Sequence, residues 1–232
     1  MSAKDKIIVA LDVDNLEDAG TLIGQLAPHV GCFKIGLELM TSVGAPEAVR
    51  FIHQRGGRVF LDGKFNDIPA TVGKAAKAAA RLGVTMFNVH ASAGVEAMRA
   101  AAANKGSSLL LAVTVLTALD EGACRSIFGA APDEAVLRFA QDAREAGVDG
   151  IICSPRDLGA LGKDRRFDKL LKVTPGVRPA WASPGDQKRV MTPKEAVEMG
   201  ATALVIGRPI TNPPAEIGSP AEATRRILAE IA

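Results

Sequence analysis

The chain has 232 residues, 28 of them basic and 26 acidic, for a formal net charge of +2. With 47% hydrophobic and 23% charged residues it carries enough apolar material for a sizeable core, which excludes a disordered chain. A balance this close to zero, with no long basic block, argues against an extended nucleic-acid footprint and points to a small partner.

The segment MSAKDKIIVALDV passes from a short charged lead into an apolar run, without the pattern of a secretory signal. No uninterrupted stretch of 18 apolar residues offers a membrane-spanning helix. Three widely separated cysteines, Cys32, Cys124 and Cys153, suit a reducing compartment better than a disulfide framework. The expectation is a cytoplasmic protein without membrane association.

In chain order, short β-branched runs predict strands at 7–12, 32–37, 58–62, 86–90, 108–116, 150–153, 170–174 and 203–207. Between them, alanine-rich stretches predict helices at about 15–28, 44–55, 67–82, 93–104, 132–146, 155–162, 193–199 and 215–230, two of them ending at Gly83 and Gly147. Eight repeats of about 29 residues each fit a strand, a loop and a three-turn helix, and eight is the number that closes a parallel barrel. The expected fold is an α/β (β/α)8 TIM barrel forming one domain over residues 1–232. An open doubly wound sheet fits less well, because the first loop lacks the Gly-x-Gly-x-x-Gly fingerprint.

Active sites of such barrels lie at the carboxyl ends of the strands, so polar residues that finish apolar runs become candidates. They are Asp12, Lys34, Asp62, Lys64, His90, Thr117 and Arg208. Asp62 and Lys64 stand two apart, which in an extended chain puts both on one side with only Gly63 between them. Asp67 is expected to cap the next helix, Pro69 to occupy its first turn, and Asp67 and Thr71 to share a face. Taken alone, this segment also fits a simple rim ion pair beside a helix cap. Adding Asp12 and Lys34 favours chemistry, since alternating charges preorganise a field and place an ammonium to deliver a proton.

The run Asp62-Gly63-Lys64-Phe65-Asn66-Asp67-Ile68-Pro69-Ala70-Thr71 resembles the Asp-x-Lys-x-x-Asp-Ile-Pro-x-Thr signature of the orotidine 5'-monophosphate decarboxylases. The resemblance extends over essentially the whole chain, through Ala10-Leu11-Asp12, Phe33-Lys34-Ile35-Gly36, Asn88-Val89-His90-Ala91, Val173 to Arg178, Gly185 to Arg189 and Val205 to Ile210, and it is to the shorter bacterial form. It implies a homodimeric barrel, needing no cofactor and no metal, that converts orotidine 5'-monophosphate to uridine 5'-monophosphate in the last step of de novo pyrimidine nucleotide synthesis.

The same resemblance makes Lys64 the proton donor to C6, sets Asp62 near the departing carboxylate, and gives Lys34 a place in the charge network and a ribose contact. Asp67 enters from the partner subunit, with Ile68 and Thr71 completing the shared site. Asp12 binds a ribose hydroxyl and Thr117 the pyrimidine ring. Gln187, Gly207 and Arg208 contact phosphate, with Arg178 and Pro179 in the adjoining substrate-binding segment.

The small and polar residues of 179–187 suggest a loop that closes on the phosphate, with Trp181 as a reporter, against the alternative of a static turn. His90 is read as a supporting contact and Cys153 as a packed thiol; His29 and His53 form no ligand cluster with the cysteines. Gly63, Ala70 and Ala93 depart from the family's common residues, Gly63 with an expected loosening of packing beneath Lys64. The chain has no tyrosine to reach the phosphate. Two alternatives remain at this stage: a metal-dependent phosphosugar decarboxylase of related barrel type, opposed by Asp67-Ile68-Pro69 with Thr71, and a noncatalytic nucleotide-binding protein, for which the full charge set has no purpose.

Overall fold

The computed structural model describes residues 2–182 and 191–232. Eight parallel strands close a barrel in sequence order: β1 Ile7–Leu11, β2 Cys32–Ile35, β3 Val59–Phe65, β4 Met86–His90, β5 Leu109–Val113, β6 Gly150–Ile152, β7 Leu171–Pro175 and β8 Ala203–Ile206. The ring is completed by β1 against β8, with Ile7 opposite Leu204 and Val9 opposite Ile206. All eight expected strands are present.

The strands are apolar on both faces because both are covered. Ile7, Val9, Leu11, Phe33, Ile35, Val59 and Leu61 belong to the large core between sheet and helices. The alternate residues Ile8, Ala10, Cys32, Phe60, Leu111, Val173, Ala203 and Val205 form a second cluster that fills the barrel. Side chains alternate with period two, so stepping on from these interior residues leads to Asp12, Lys34, Asp62, Lys64 and Gly207. The interior is therefore plugged with hydrocarbon below and lined with polar groups above.

The helices are α1 Leu16–Leu26, α2 Leu37–Ser42, α3 Ala45–His53, α4 Pro69–Arg81, α5 Val95–Asn104, α6 Glu121–Phe128, α7 Pro132–Glu145, α8 Asp157–Gly162, α9 Pro193–Glu198, α10 Arg208–Thr211 and α11 Pro220–Glu230. Several start where their side chains satisfy the free amides of a first turn. Asn15 accepts from Asp18 N at 2.9 Å, and Thr192 with Glu195 forms a reciprocal capping box. Gly83 and Gly147 follow α4 and α7 at φ 72° and 75°, the left-handed conformation that lets glycine end a helix.

Helices α2, α6 and α10 fall where no helix was expected. Leu37, read as the end of a strand, begins α2, and β5 stops at Val113 rather than at residue 116, after which the chain turns into α6. Asp120 caps α6 by accepting from Ala123 N at 2.8 Å, and Ala123, Cys124, Ile127 and Phe128 stand at helical spacing along it, a signal that the strand-by-strand reading passed over.

Candidate active site

Four charged side chains form a chain across the carboxyl ends of the first three strands. Lys34 Nζ lies 3.4 Å from Asp12 Oδ1 and 3.2 Å from Asp62 Oδ2, and Lys64 Nζ lies 2.7 Å from Asp62 Oδ1. The signs alternate from Asp12 to Lys34, Asp62 and Lys64, so each ammonium touches at least one carboxylate. Side-chain exposure is 62% for Asp12, 13% for Lys34, 9% for Asp62 and 29% for Lys64, which puts the two inner groups in a poorly solvated setting where their field is strong.

Two glycines make room for this array. A Cβ at Gly36 would sit 2.9 Å from Lys34 Nζ, so a side chain there would make the ammonium shift from its place between two carboxylates. A Cβ at Gly63 would come within 2.8 Å of Phe65 Cε1. The expected loosening beneath Lys64 is thereby corrected: the ring of Phe65 occupies the space that Gly63 vacates, and it packs against Phe87 with centroids 5.9 Å apart.

The route by which Lys64 reaches Asp62 also differs from the expected extended strand. Lys64 has φ 48°, the one non-glycine residue at positive φ among the described residues, and the pairing of β3 with β4 shifts register between Leu61 and Phe65. A left-handed lysine in an irregular strand is a strained conformation held by its surroundings. Its backbone N–H donates to Asn88 Oδ1 at 2.7 Å, while Asn88 Nδ2 donates to Asp62 Oδ1 at 2.6 Å. Asn88 is fully buried. Sequence reasoning gave it no role, although a lone amide inside the apolar run Met86-Phe87-Asn88-Val89 was a usable signal.

The array opens into a cavity of about 370 Å³ that brings Asp12, Lys34, Asp62 and Lys64 together with Thr117, Arg178, Gly207 and Arg208. Thr117 arrives from the turn beyond β5, Arg178 from just after β7, and Gly207 and Arg208 from the junction of β8 with α10. Arg178 is buried and its backbone N–H is held by Met191 O at 3.0 Å. Pro179 is buried beside it but does not line the cavity. Gln187 lies outside the described residues, as does the 183–187 part of the expected phosphate loop. Of that loop, the described end turns back through Ala182 N donating to Pro179 O at 2.9 Å.

Asp67, Ile68 and Thr71 are not gathered into this cavity; all three are exposed. The expected helix cap is also corrected. Asp67 Oδ1 accepts from the adjacent Ile68 N at 2.7 Å, and Ile68 itself is the residue preceding α4, so Asp67 satisfies no amide within the helix and shares no helical face with Thr71.

His90 ends β4 half-buried and outside the cavity lining. Burial holds its imidazole below the ordinary value of 6.5, the Lys64 charge pushes the same way, and Asp62 opposes both. Cys153 reaches the cavity, but burial first and the Asp157 charge second raise its thiol to about 12, which leaves it an inert core group. Among the described residues, no three His, Cys, Asp or Glu side chains are grouped to hold a metal.

A closed parallel barrel with an alternating lysine and aspartate array at its carboxyl mouth, and arginines from its last two strands, defines a TIM-barrel enzyme for a small anionic substrate. The chain belongs to the orotidine 5'-phosphate decarboxylase / HUMPS family, whose model matches residues 5–227. Orotidine 5'-phosphate decarboxylase of Moorella thermoacetica is 50% identical over 242 aligned residues, covering 100% of this chain and 94% of the relative. That of Geotalea uraniireducens is 47% identical over 237, covering 99% and 96%. The crystal structure of orotidine 5'-phosphate decarboxylase from Lactobacillus acidophilus superposes with a TM-score of 0.83 at 36% identity, covering 97% of this chain and 98% of that one.

Proposed function

We infer that this protein decarboxylates orotidine 5'-monophosphate to uridine 5'-monophosphate and CO2, the closing step of de novo pyrimidine nucleotide synthesis. The observation that carries the mechanism is the Lys34–Asp62–Lys64 contact set at 3.2 and 2.7 Å inside the barrel mouth. Breaking the bond from C6 to the carboxylate leaves its electron pair on C6 in an orbital that the ring cannot delocalise. The Lys64 ammonium stabilises that pair as it forms and then transfers a proton to it, so CO2 departs and a C6–H bond replaces the lost C–C bond. Asp62 sits against the departing carboxylate and fixes the ammonium; Lys34 links it to Asp12, which holds a ribose hydroxyl.

Thr117 contacts the ring. Gly207 and Arg208, with Gln187, take the phosphate, and Arg178 and Pro179 complete that wall. Binding energy from the unreactive phosphate thus serves to place C6 against Lys64.

The working unit is a homodimer of single-domain barrels, each lending Asp67, Ile68 and Thr71 to its partner's site. Support comes from their exposure outside their own cavity, and from Leu37, which opens α2, and Ile68, which precedes α4, 61% and 66% exposed beyond the ends of β2 and β3. Apolar side chains so placed need a cover. A cytoplasmic location accords with the absence, among the described residues, of any helix long and apolar enough to cross a membrane.

Turnover of orotidine 5'-monophosphate by purified protein after chelation, followed by ring absorbance and CO2 release, tests the activity; none would refute it. Lys64→Ala should lose about 10³-fold in kcat. Mixed dimers of Lys64→Ala and Asp67→Ala chains should regain activity, since one of their two sites is intact, and no regain in verified mixed dimers would refute the shared site.

A further inference from the structure

We propose that Asn88 is a positioning residue for the decarboxylation: its buried side-chain amide orients the Lys64 ammonium and the Asp62 carboxylate relative to one another. The inference rests on the reading of Lys64 as proton donor.

The two ends of the amide meet partners that admit only one orientation. The Lys64 backbone N–H can only donate and takes Oδ1 at 2.7 Å; the Asp62 carboxylate accepts and takes Nδ2 at 2.6 Å. A side chain from β4 therefore ties together the backbone of one reacting residue and the charge of its neighbour, both on β3. The interior positions of such a barrel are ordinarily filled by branched apolar residues, as Phe60, Leu111 and Val173 fill this one lower down. A fully buried amide is tolerated here because both of its ends are satisfied by the site itself.

The bond to Lys64 compensates for a specific defect. The register shift between Leu61 and Phe65 disturbs the ladder that would otherwise engage this amide, and Lys64 sits at φ 48°. The left-handed conformation disfavours a side chain bearing Cβ, so the strand gains by relaxing to an extended one. That relaxation would redirect the Lys64 Cα–Cβ bond and shift the ammonium from the position it now holds 2.7 Å from Asp62 Oδ1. Asn88 Oδ1 holds the strained conformer in place. Asn88 Nδ2 meanwhile adds a neutral donor to an Asp62 oxygen already engaged by Lys64 Nζ at 2.7 Å, so the carboxylate is fixed without a third cation entering the array.

Two substitutions separate the halves of this role. Asn88→Leu keeps approximate volume and removes both bonds; Asn88→Asp keeps the shape and the acceptor for Lys64 N–H but replaces the donor to Asp62 with a like charge. Each should lower kcat for orotidine 5'-monophosphate by about 10- to 100-fold, the usual effect of a small misplacement of a reacting group. Affinity for uridine 5'-monophosphate, measured by calorimetry, should stay within about threefold, because ribose and phosphate contacts are untouched. Wild-type kcat in either folded variant would overturn the proposal, and so would equal losses of kcat and nucleotide affinity. Failure of both variants to fold would overturn it too, since the role is orientation rather than stability. Lys64→Ala measured alongside keeps the two ideas apart: turnover retained there refutes Lys64 as donor, whereas Lys64→Ala inactive with both Asn88 variants normal refutes only Asn88.

Discussion

Replacing Asp62 by asparagine removes one charge from the centre of the array at constant volume, and its cost can be built from the contacts. The side chain is 9% exposed, and its carboxylate touches Lys64 Nζ at 2.7 Å and Lys34 Nζ at 3.2 Å. At an effective dielectric of about 20, each contact is worth about 5 kcal/mol gross. The variant no longer incurs the desolvation of a buried carboxylate, several kcal/mol, which offsets much of that sum. What remains uncompensated is a pair of ammonium groups: among the described residues, Lys34 keeps only the exposed Asp12 carboxylate at 3.4 Å and Lys64 keeps none.

Removing one partner of a buried pair costs about 3–5 kcal/mol, and the 29% exposure of Lys64 lets water recover part of it, so the expected loss is about 3 kcal/mol. Urea unfolding followed by far-ultraviolet circular dichroism should show it, and the melting temperature should fall by about 6–12 °C for a chain of this size. Half-molar salt should restore little, because the inner pair is shielded from counter-ions. A variant within about 0.5 kcal/mol of the parent, or more stable than it, would refute the reasoning: the array would then be a source of strain that Asp62 does not relieve.

Gly63→Ala introduces a Cβ 2.8 Å from Phe65 Cε1 and should cost about 1–3 kcal/mol in melting experiments while lowering kcat, since the displaced ring adjoins Lys64; an unchanged melting temperature would show that the ring has room to move. The His90 imidazole, followed by nuclear magnetic resonance, should titrate below 6.5 and move upward in Lys64→Ala, which removes the smaller of its two lowering causes. The sign for stability follows. As pH falls through 6.5 the unfolded chain takes up a proton that folded His90 still refuses, so stability declines until the folded imidazole is also protonated, and His90→Gln should flatten that slope.

The barrel was legible because parallel strands covered on both faces are written as short unbroken apolar runs, and all eight are present. The same feature blurred their ends. Leu37 and the stretch from Thr114 to Leu116 continue apolar runs without continuing strands, and Leu37 and Leu116 stand exposed at the rim, so an apolar residue there does not mark the covered part of a strand. Helix α6 is only eight residues long and buries Cys124 alone, so its short apolar stripe of Ala123, Cys124, Ile127 and Phe128 was easily passed over. The charged residues were legible for a different reason: inside a barrel the period of two runs straight from the hydrocarbon plug to the mouth, so Ala10 leads to Asp12 and Phe60 to Asp62.

Asp62 and Lys64 show where that rule stops. Spacing by two placed them together on the premise of an extended strand, yet the strand is irregular at that point and Lys64 is left-handed, so the contact is made by a conformation that spacing does not contain. The missing information is held by Asn88, 24 residues away on the neighbouring strand, and by the ring of Phe65 standing over Gly63. A local rule identifies residues that share a face; it cannot supply a strained backbone angle, which persists only when tertiary contacts make it cheaper than relaxing. Both features nonetheless leave a trace in the chain, a polar residue inside an apolar strand run and a glycine between two charges, each locally unfavourable for a strand. Local disadvantage of that kind, at the carboxyl end of a barrel strand, marks the place where geometry has been set by the reaction rather than by the fold.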